Sequence, residues 1–455
     1  MFLFVFEQKI VGFLIAINYC IKMSNSDAFF EAAYGTERYQ HVKNALTKPS
    51  AISTFRVNPS SSSTKATSSS PSPLNILNQE IAPLNDRLLQ QNRPPYTVHT
   101  HPNIPNCLVI PSAPTVTLEN TLPVVGEIVV DRRAGEAILC GSDLFAKGVL
   151  ACTRPIPPLG SAMRILAVLK TRAPRGGTPQ EFIEKEREMN SPVIEIGIGI
   201  LKLNRHQLFH EEMGIAVEMY SRSNNISDAP PMNELIKRLN QQSLPFSYFA
   251  QTLPSMVASL ALDVKEGDMV LDCCASPGGK TTHLAGLLNG KGMVVAIDKT
   301  STKTNKVKQL VASMGYSNVV QPLCGNTTTI VDSEAGSLED LLKEVKVLEA
   351  SNNESIIRIA KSTNKSDTTS NHSQTGKKRK RKESTKYPTT SYGLKPESFD
   401  KILLDAPCSA IGQRPRLVST ASTTLDRLAQ CADYQMVLMR AAVELLKVGG
   451  DLGKF

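Results

Sequence analysis

Two hydrophobic rhythms divide the chain. From about residue 123 to 220, short apolar runs alternate with Gly and Pro clusters. Gly126–Asp131, Glu136–Cys140, Gly148–Cys152, Arg164–Leu169 and Glu195–Leu201 read as strands, and Arg205–Phe209 as a short helix. This predicts a compact β-rich module. From about 233 onward apolar runs bounded by turns alternate with helical periodicity. Asp268–Asp272, Gly292–Asp298, Val319–Leu323 and Lys401–Leu404 read as strands. Lys280–Leu288, Asn305–Met314 and Tyr434–Leu446 read as helices, the last stopped by Gly449-Gly450. The order βαβαβ predicts an α/β fold with a parallel, doubly wound sheet.

Upstream, residues 27–48 have helical spacing and Thr54–Asn58 alternates like a strand. Residues 59–73 form a Ser-rich loop that cannot build a core. Residues 331–396 interrupt the second rhythm. They contain a charged helical piece, Leu338–Leu348, then a polar tract and the run Lys377–Lys382, and are expected to form a disordered basic insertion. Residues 1–22 are apolar but broken by Glu7 and Lys9. They match neither a membrane span nor a secretory signal, and read as an extension ahead of Met23. No membrane partner is expected.

Charge changes the picture less than its total implies. The net charge of +9 falls to +3 without Lys377–Lys382, so basicity is mostly one segment. That run reads as a nuclear address, an RNA tether or a solvated loop. Nine cysteines without a Cys-x-x-Cys pair argue for a reducing, cytoplasmic setting, and against a zinc site or disulfide framework. His206 and His210 lie four apart with no third ligand nearby, so no metal is expected.

The chemistry gathers at two places. Asp405-Ala-Pro-Cys408 follows the apolar run Ile402–Leu404, which puts an acid and a thiol at the carboxyl end of a buried strand. Asp272-Cys-Cys-Ala-Ser-Pro-Gly278-Gly279-Lys280-Thr281 joins strand to helix, where glycines admit a ligand and free amides face it. A phosphate-binding P-loop would fit Gly279-Lys280-Thr281, but its first glycine would fall on Cys274. A nucleoside-containing cofactor also explains Asp298, 19 residues beyond Gly279, as an acceptor for ribose hydroxyls.

Cys274-Ala-Ser-Pro-Gly-Gly-Lys280, Asp298, Asp405-Ala-Pro-Cys-Ser-Ala410 and Gln251-Thr-Leu-Pro-Ser255 together resemble the Sun/NOL/NOP family of S-adenosylmethionine-dependent RNA cytosine-C5 methyltransferases, over roughly 245–450. Leu139–Val149 and Gly197–Leu201 resemble a PUA domain, an RNA-binding pseudo-barrel. The order of parts is similar to the PUA-containing subgroup typified by NSUN member six. The resemblance implies a Rossmann-like class I methyltransferase sheet at 222–455, a PUA-like domain at 123–221 and an N-terminal segment at 23–122. It also implies a monomer acting on the acceptor or CCA end of tRNA with S-adenosylmethionine as cofactor. Cys274, Ala275, Ser276, Pro277, Gly278, Gly279, Lys280, Asp298 and Asp405 would bind the cofactor. Cys408, Asp405 and Lys280 would be catalytic: Cys408 assisting release, Asp405 contacting the cytosine N3/N4 edge, Lys280 positioning.

The pattern departs from the family in three ways. The family's attacking cysteine lies in a Thr-Cys pair on a later strand, and Lys447–Phe455 contains none. The chain therefore reads as C-terminally truncated and inactive in transfer, with a sheet lacking its closing strands. An acid expected near the adenine is replaced by Asn326. A non-catalytic RNA-binding protein and a P-loop NTPase are the alternative functions.

Overall fold

The computed structural model describes residues 26–48, 50–59, 72–90, 94–112, 123–171, 174–222, 232–241, 246–351, 356–359, 390, 393–413, 415–417 and 424–454. Residues 1–22, the run 377–382 and nearly all of the Ser-rich loop lie outside them. The chain divides into two compact units. One holds the described residues of 1–57, 69–244 and 409–429, the other those of 58–68, 245–408 and 430–455.

The first unit begins with helices Ser26–Tyr34 and Thr36–Leu46, strand β1 (Ile52–Pro59) and helix Pro73–Gln90. Strands β2 (His99–Thr100) and β3 (Cys107–Pro111) come next, with β3 antiparallel to both β1 and β2. A six-stranded sheet is then built from β4 (Val124–Asp131), β5 (Leu144–Phe145), β6 (Val149–Cys152), β7 (Ala162–Val168), β8 (Ile194–Leu201) and β9 (Ile215–Arg222), in the order β5-β9-β8-β7-β4-β6. Gly197 is required there. Its φ is +152°, and a Cβ would lie 2.1 Å from the Ser221 carbonyl oxygen on β9.

One expected strand, Glu136–Cys140, is a helix, Arg132–Leu139. The Asp131 carboxylate accepts a hydrogen bond from the Ala134 amide at 2.7 Å and starts it. Gly135, Ile138 and Leu139 are then buried three and four residues apart, a helical spacing that a short apolar run hides. The expected helix at Arg205–Phe209 is one turn, Gln207–Glu211. Its His206 and His210 rings stack 5.1 Å apart. No cluster of three metal-capable side chains occurs among the described residues.

The second unit contains β10 (Phe246–Ala250), β11 (Met269–Asp272), β12 (Met293–Asp298), β13 (Val320–Cys324), β14 (Phe399–Leu404) and β15 (Leu446–Lys454). The last five form one parallel sheet in the order β13-β12-β11-β14-β15. Neighbouring residues of each strand feed opposite cores. Leu271, Val295 and Ile402 face one cluster, and Val270, Val294 and Leu403 the other. Both faces are thus covered, which is why these strands are apolar throughout rather than alternating. Chain order reverses between β11 and β14, which opens a crevice at their carboxyl ends.

Two expectations for this unit change. Residues 331–396 are not wholly an insertion: helix Leu338–Ser351 buries Leu338, Leu341 and Val345 in the sheet's core. Ile357, Ile359 and Leu394 join the same cluster, and Ile359 donates its amide to the Cys324 carbonyl at 2.9 Å. The stretch after the last helix supplies one further strand, β15. This strand runs parallel to β14 with Lys401 opposite Asp451. Helix Leu425–Leu445 starts nine residues earlier than its apolar pattern indicates. Among the described residues no helix is long and apolar enough to cross a membrane.

Candidate functional site

The turns that leave the sheet strands build the edge of the crevice. After β11, the loop from Cys273 to Gly278 turns back over the sheet. The Cys273 amide donates to the Leu403 carbonyl and the Ala275 amide to Ile297, each at 3.0 Å. The Ser276 amide donates to Asp298 Oδ2 at 3.3 Å. Asp298 ends β12, is only 5% exposed, and receives Lys303 Nζ at 3.6 Å on its other oxygen. Gly278 then caps helix Gly279–Leu287 at φ +108°, where a Cβ would lie 3.2 Å from Leu310.

Lys280 is in the first turn of that helix and crosses to the turn after β14. Its ammonium donates to Asp405 Oδ2 at 2.5 Å. Lys280 is largely covered and Asp405 is half exposed, so the pair opens on the carboxylate side. Asp405 Oδ1 makes no hydrogen bond or ion pair among the described residues. Cys408 closes the turn and is exposed. All nine cofactor-binding candidates and Cys408 therefore come to one sheet edge from segments more than 100 residues apart.

Beneath them lies Asp272, fully buried, accepting the Thr281 hydroxyl at 2.7 Å. Burial first, and then the charge of Asp405, push its carboxyl up to about 7 despite the Thr281 hydrogen bond. A folded acid above its ordinary value binds more protons than the unfolded chain between about pH 4 and 7. Stability from this group therefore falls as pH rises through that window. Asp272→Asn is expected to flatten that part of the stability–pH curve, read by urea unfolding at pH 5 and pH 7. An unchanged slope would refute the assignment.

Thiol environments differ sharply. Burial, then Asp272 and Asp298, push the Cys274 thiol up to about 12, and Cys273 is raised well above the usual value by burial. Neither is a thiolate at neutral pH. Asn326 lies just beyond β13, next to Gly325, whose amide donates to the Asp298 carbonyl at 3.0 Å. Its Oδ1 is buried and has no partner among the described residues.

Sequence reading missed the contribution of helix Leu425–Leu445. Gln435 donates its side-chain amide to the Pro407 carbonyl at 3.0 Å, holding the peptide that leads into Cys408. Tyr434 is half-buried against the same core cluster that Cys274 packs on. Nothing local in Tyr434-Gln435 signals this, because both partners come from other parts of the chain.

The chain has relatives among known proteins. A family model described as 16S rRNA methyltransferase RsmB/F matches residues 259–342 and 338–453. The rRNA (cytosine-C(5))-methyltransferase NOP2C of Arabidopsis thaliana is 28% identical, over 93% of this chain and 75% of its own length. The tRNA (cytosine(72)-C(5))-methyltransferase NSUN6 of Mus musculus is 29% identical, over 77% of this chain. The tRNA (cytosine(72)-C(5))-methyltransferase of Pyrococcus horikoshii is 29% identical, over 73%. The chain spans 59% and 60% of the lengths of these last two. The crystal structure of NSun6 from Pyrococcus horikoshii with SFG superposes with a TM-score of 0.57 at 22% identity, covering 94% of this chain and 82% of that one.

Proposed function

Because residues 259–453 match the RsmB/F methyltransferase family model, we propose that the chain is an S-adenosylmethionine-dependent RNA cytosine-C5 methyltransferase whose substrate is the acceptor end of tRNA. The observation that carries this is the edge itself: a loop tied to Asp298 beside a Lys280–Asp405 pair.

The residues fit the cofactor. Asp298 presents a buried carboxylate for ribose hydroxyls, and Gly278 permits close approach of the loop. The Asn326 Oδ1 lacks a donor that an adenine amino group carries. Asn326 thus supplies as a neutral acceptor what the family resemblance assigns to an acid. When bound, S-adenosylmethionine supplies an electrophilic methyl group.

The chain's own residues handle the base. Lys280 holds Asp405 Oδ2, which leaves Oδ1 to accept from the cytosine N4 amino group. Cytosine C5 is a weak nucleophile until a thiolate adds to C6. After methylation a base removes the C5 proton and the thiol leaves. The family resemblance assigns release to Cys408. Among the described residues no Thr-Cys pair supplies the attacking thiol, and Cys274 is held protonated. We therefore propose that the residues of this edge bind cofactor and position the base, with Cys274 outside the attacking role. The β-rich strands of 123–221, read as a PUA domain, would hold the tRNA end.

Calorimetry with S-adenosylmethionine and with ATP tests the cofactor reading. Binding of the first and not the second is expected, and the reverse would favour an NTPase.

A further inference from the structure

We infer that Tyr434 is the aromatic wall of the nucleoside pocket beside Asp298, with Lys299 holding its ring across the mouth. The inference rests on the cofactor reading above and adds a residue from an element outside the cofactor loop.

The geometry comes from helix periodicity. Helix Leu425–Leu445 buries Leu438, Met439, Ala442 and Leu445 in the sheet's core. Tyr434 and Gln435 stand one turn before Leu438 and Met439, so the same face carries them to the sheet edge. Gln435 fixes that turn through the Pro407 carbonyl. Tyr434 packs against the same buried cluster as Cys274 of the cofactor loop. The Lys299 ammonium lies 5.9 Å from the ring centroid, and Lys299 is next in sequence to Asp298. Burial first, and then the charges of Cys274 and Asp298, raise the Tyr434 hydroxyl.

An aromatic wall supplies a flat surface on the Asp298 side of the loop, as Phe249 does beside Gly279. Asp298, Asn326 and the loop amides offer polar contacts to sugar and base edges. A flat apolar surface for the heterocycle comes from the Tyr434 ring, and stacking a base on an aromatic side chain accounts for about tenfold in affinity or more. Lys299 keeps the ring from swinging away, because a cation over its face favours one orientation.

Isothermal titration of the full chain with S-adenosylmethionine, and separately with adenosine, tests this. Tyr434→Leu is expected to weaken both ligands by about tenfold, Tyr434→Phe by about twofold, and Lys299→Ala by about threefold. Far-UV melting curves recorded alongside identify any loss of fold, and the exposed Lys299→Ala keeps the test valid if Tyr434→Leu unfolds. Wild-type affinity in Tyr434→Leu and Lys299→Ala, with binding lost in Asp298→Ala, would overturn the wall and leave the cofactor reading standing. No binding of either ligand to the unaltered chain would overturn the cofactor reading and this inference with it.

Discussion

Asp298→Ala is expected to weaken S-adenosylmethionine binding by about 100-fold, or about 2.7 kcal/mol, because two charged interactions disappear together. The carboxylate is the acceptor for ribose hydroxyls, and it also receives the Ser276 amide that sets the loop. Asp298→Asn keeps the shape and one carbonyl oxygen, so it should lose about tenfold. Asp298 is 5% exposed, and Lys303 reaches its Oδ1 from the next helix at 3.6 Å. The alanine variant would leave that ammonium and the Ser276 amide facing a gap. Titration calorimetry measures the change. Equal affinity in the wild type and both variants would show that the nucleoside sits elsewhere.

Glu186→Ala is expected to destabilise the first unit by about 3 kcal/mol, since it strands three partly buried amides. The Glu186 carboxylate lies on helix Pro179–Glu188, is fully buried, and accepts the amides of Leu169 at 2.8 Å, Lys170 at 2.9 Å and Thr171 at 2.8 Å. The Thr171 hydroxyl donates to it as well. Burial opposes its charge, but these hydrogen bonds outweigh burial and lower its carboxyl to about 2. A folded acid below its ordinary value stabilises the fold fully above the unfolded value. That stability is lost as pH falls from about 4.5 towards 2. Thermal melts between pH 6 and pH 2.5 should show a steep loss for the wild type and a shallower one for Glu186→Gln. Parallel curves would mean that the carboxylate does not carry the acid sensitivity.

The strands of the second unit were legible because both faces of their sheet are covered. Runs such as Ile402-Leu403-Leu404 and Val294-Val295-Ala296 stay apolar at every position, and such runs bounded by turns have few other readings. Glu136–Cys140 misled for the related reason that a short apolar run carries no period. The Asp131 cap decided between helix and strand. Residues 331–396 misled because their polar composition hid a few apolar anchors. Ile357, Ile359 and Leu394 reach the core only through pairing with β13 and the chain after it.

The loop 274–280, Asp298 and Asp405-Ala-Pro-Cys408 were legible as candidates in the sequence alone, because each is a local run at the end of an apolar strand. The tertiary structure decided which of these groups meet. It joined Lys280 to Asp405 across 125 residues, buried Asp272 beneath them, and brought Tyr434 and Gln435 to the same edge. No local pattern encodes those meetings. They arise where strand order reverses between β11 and β14, and that reversal exists only once the whole sheet has formed.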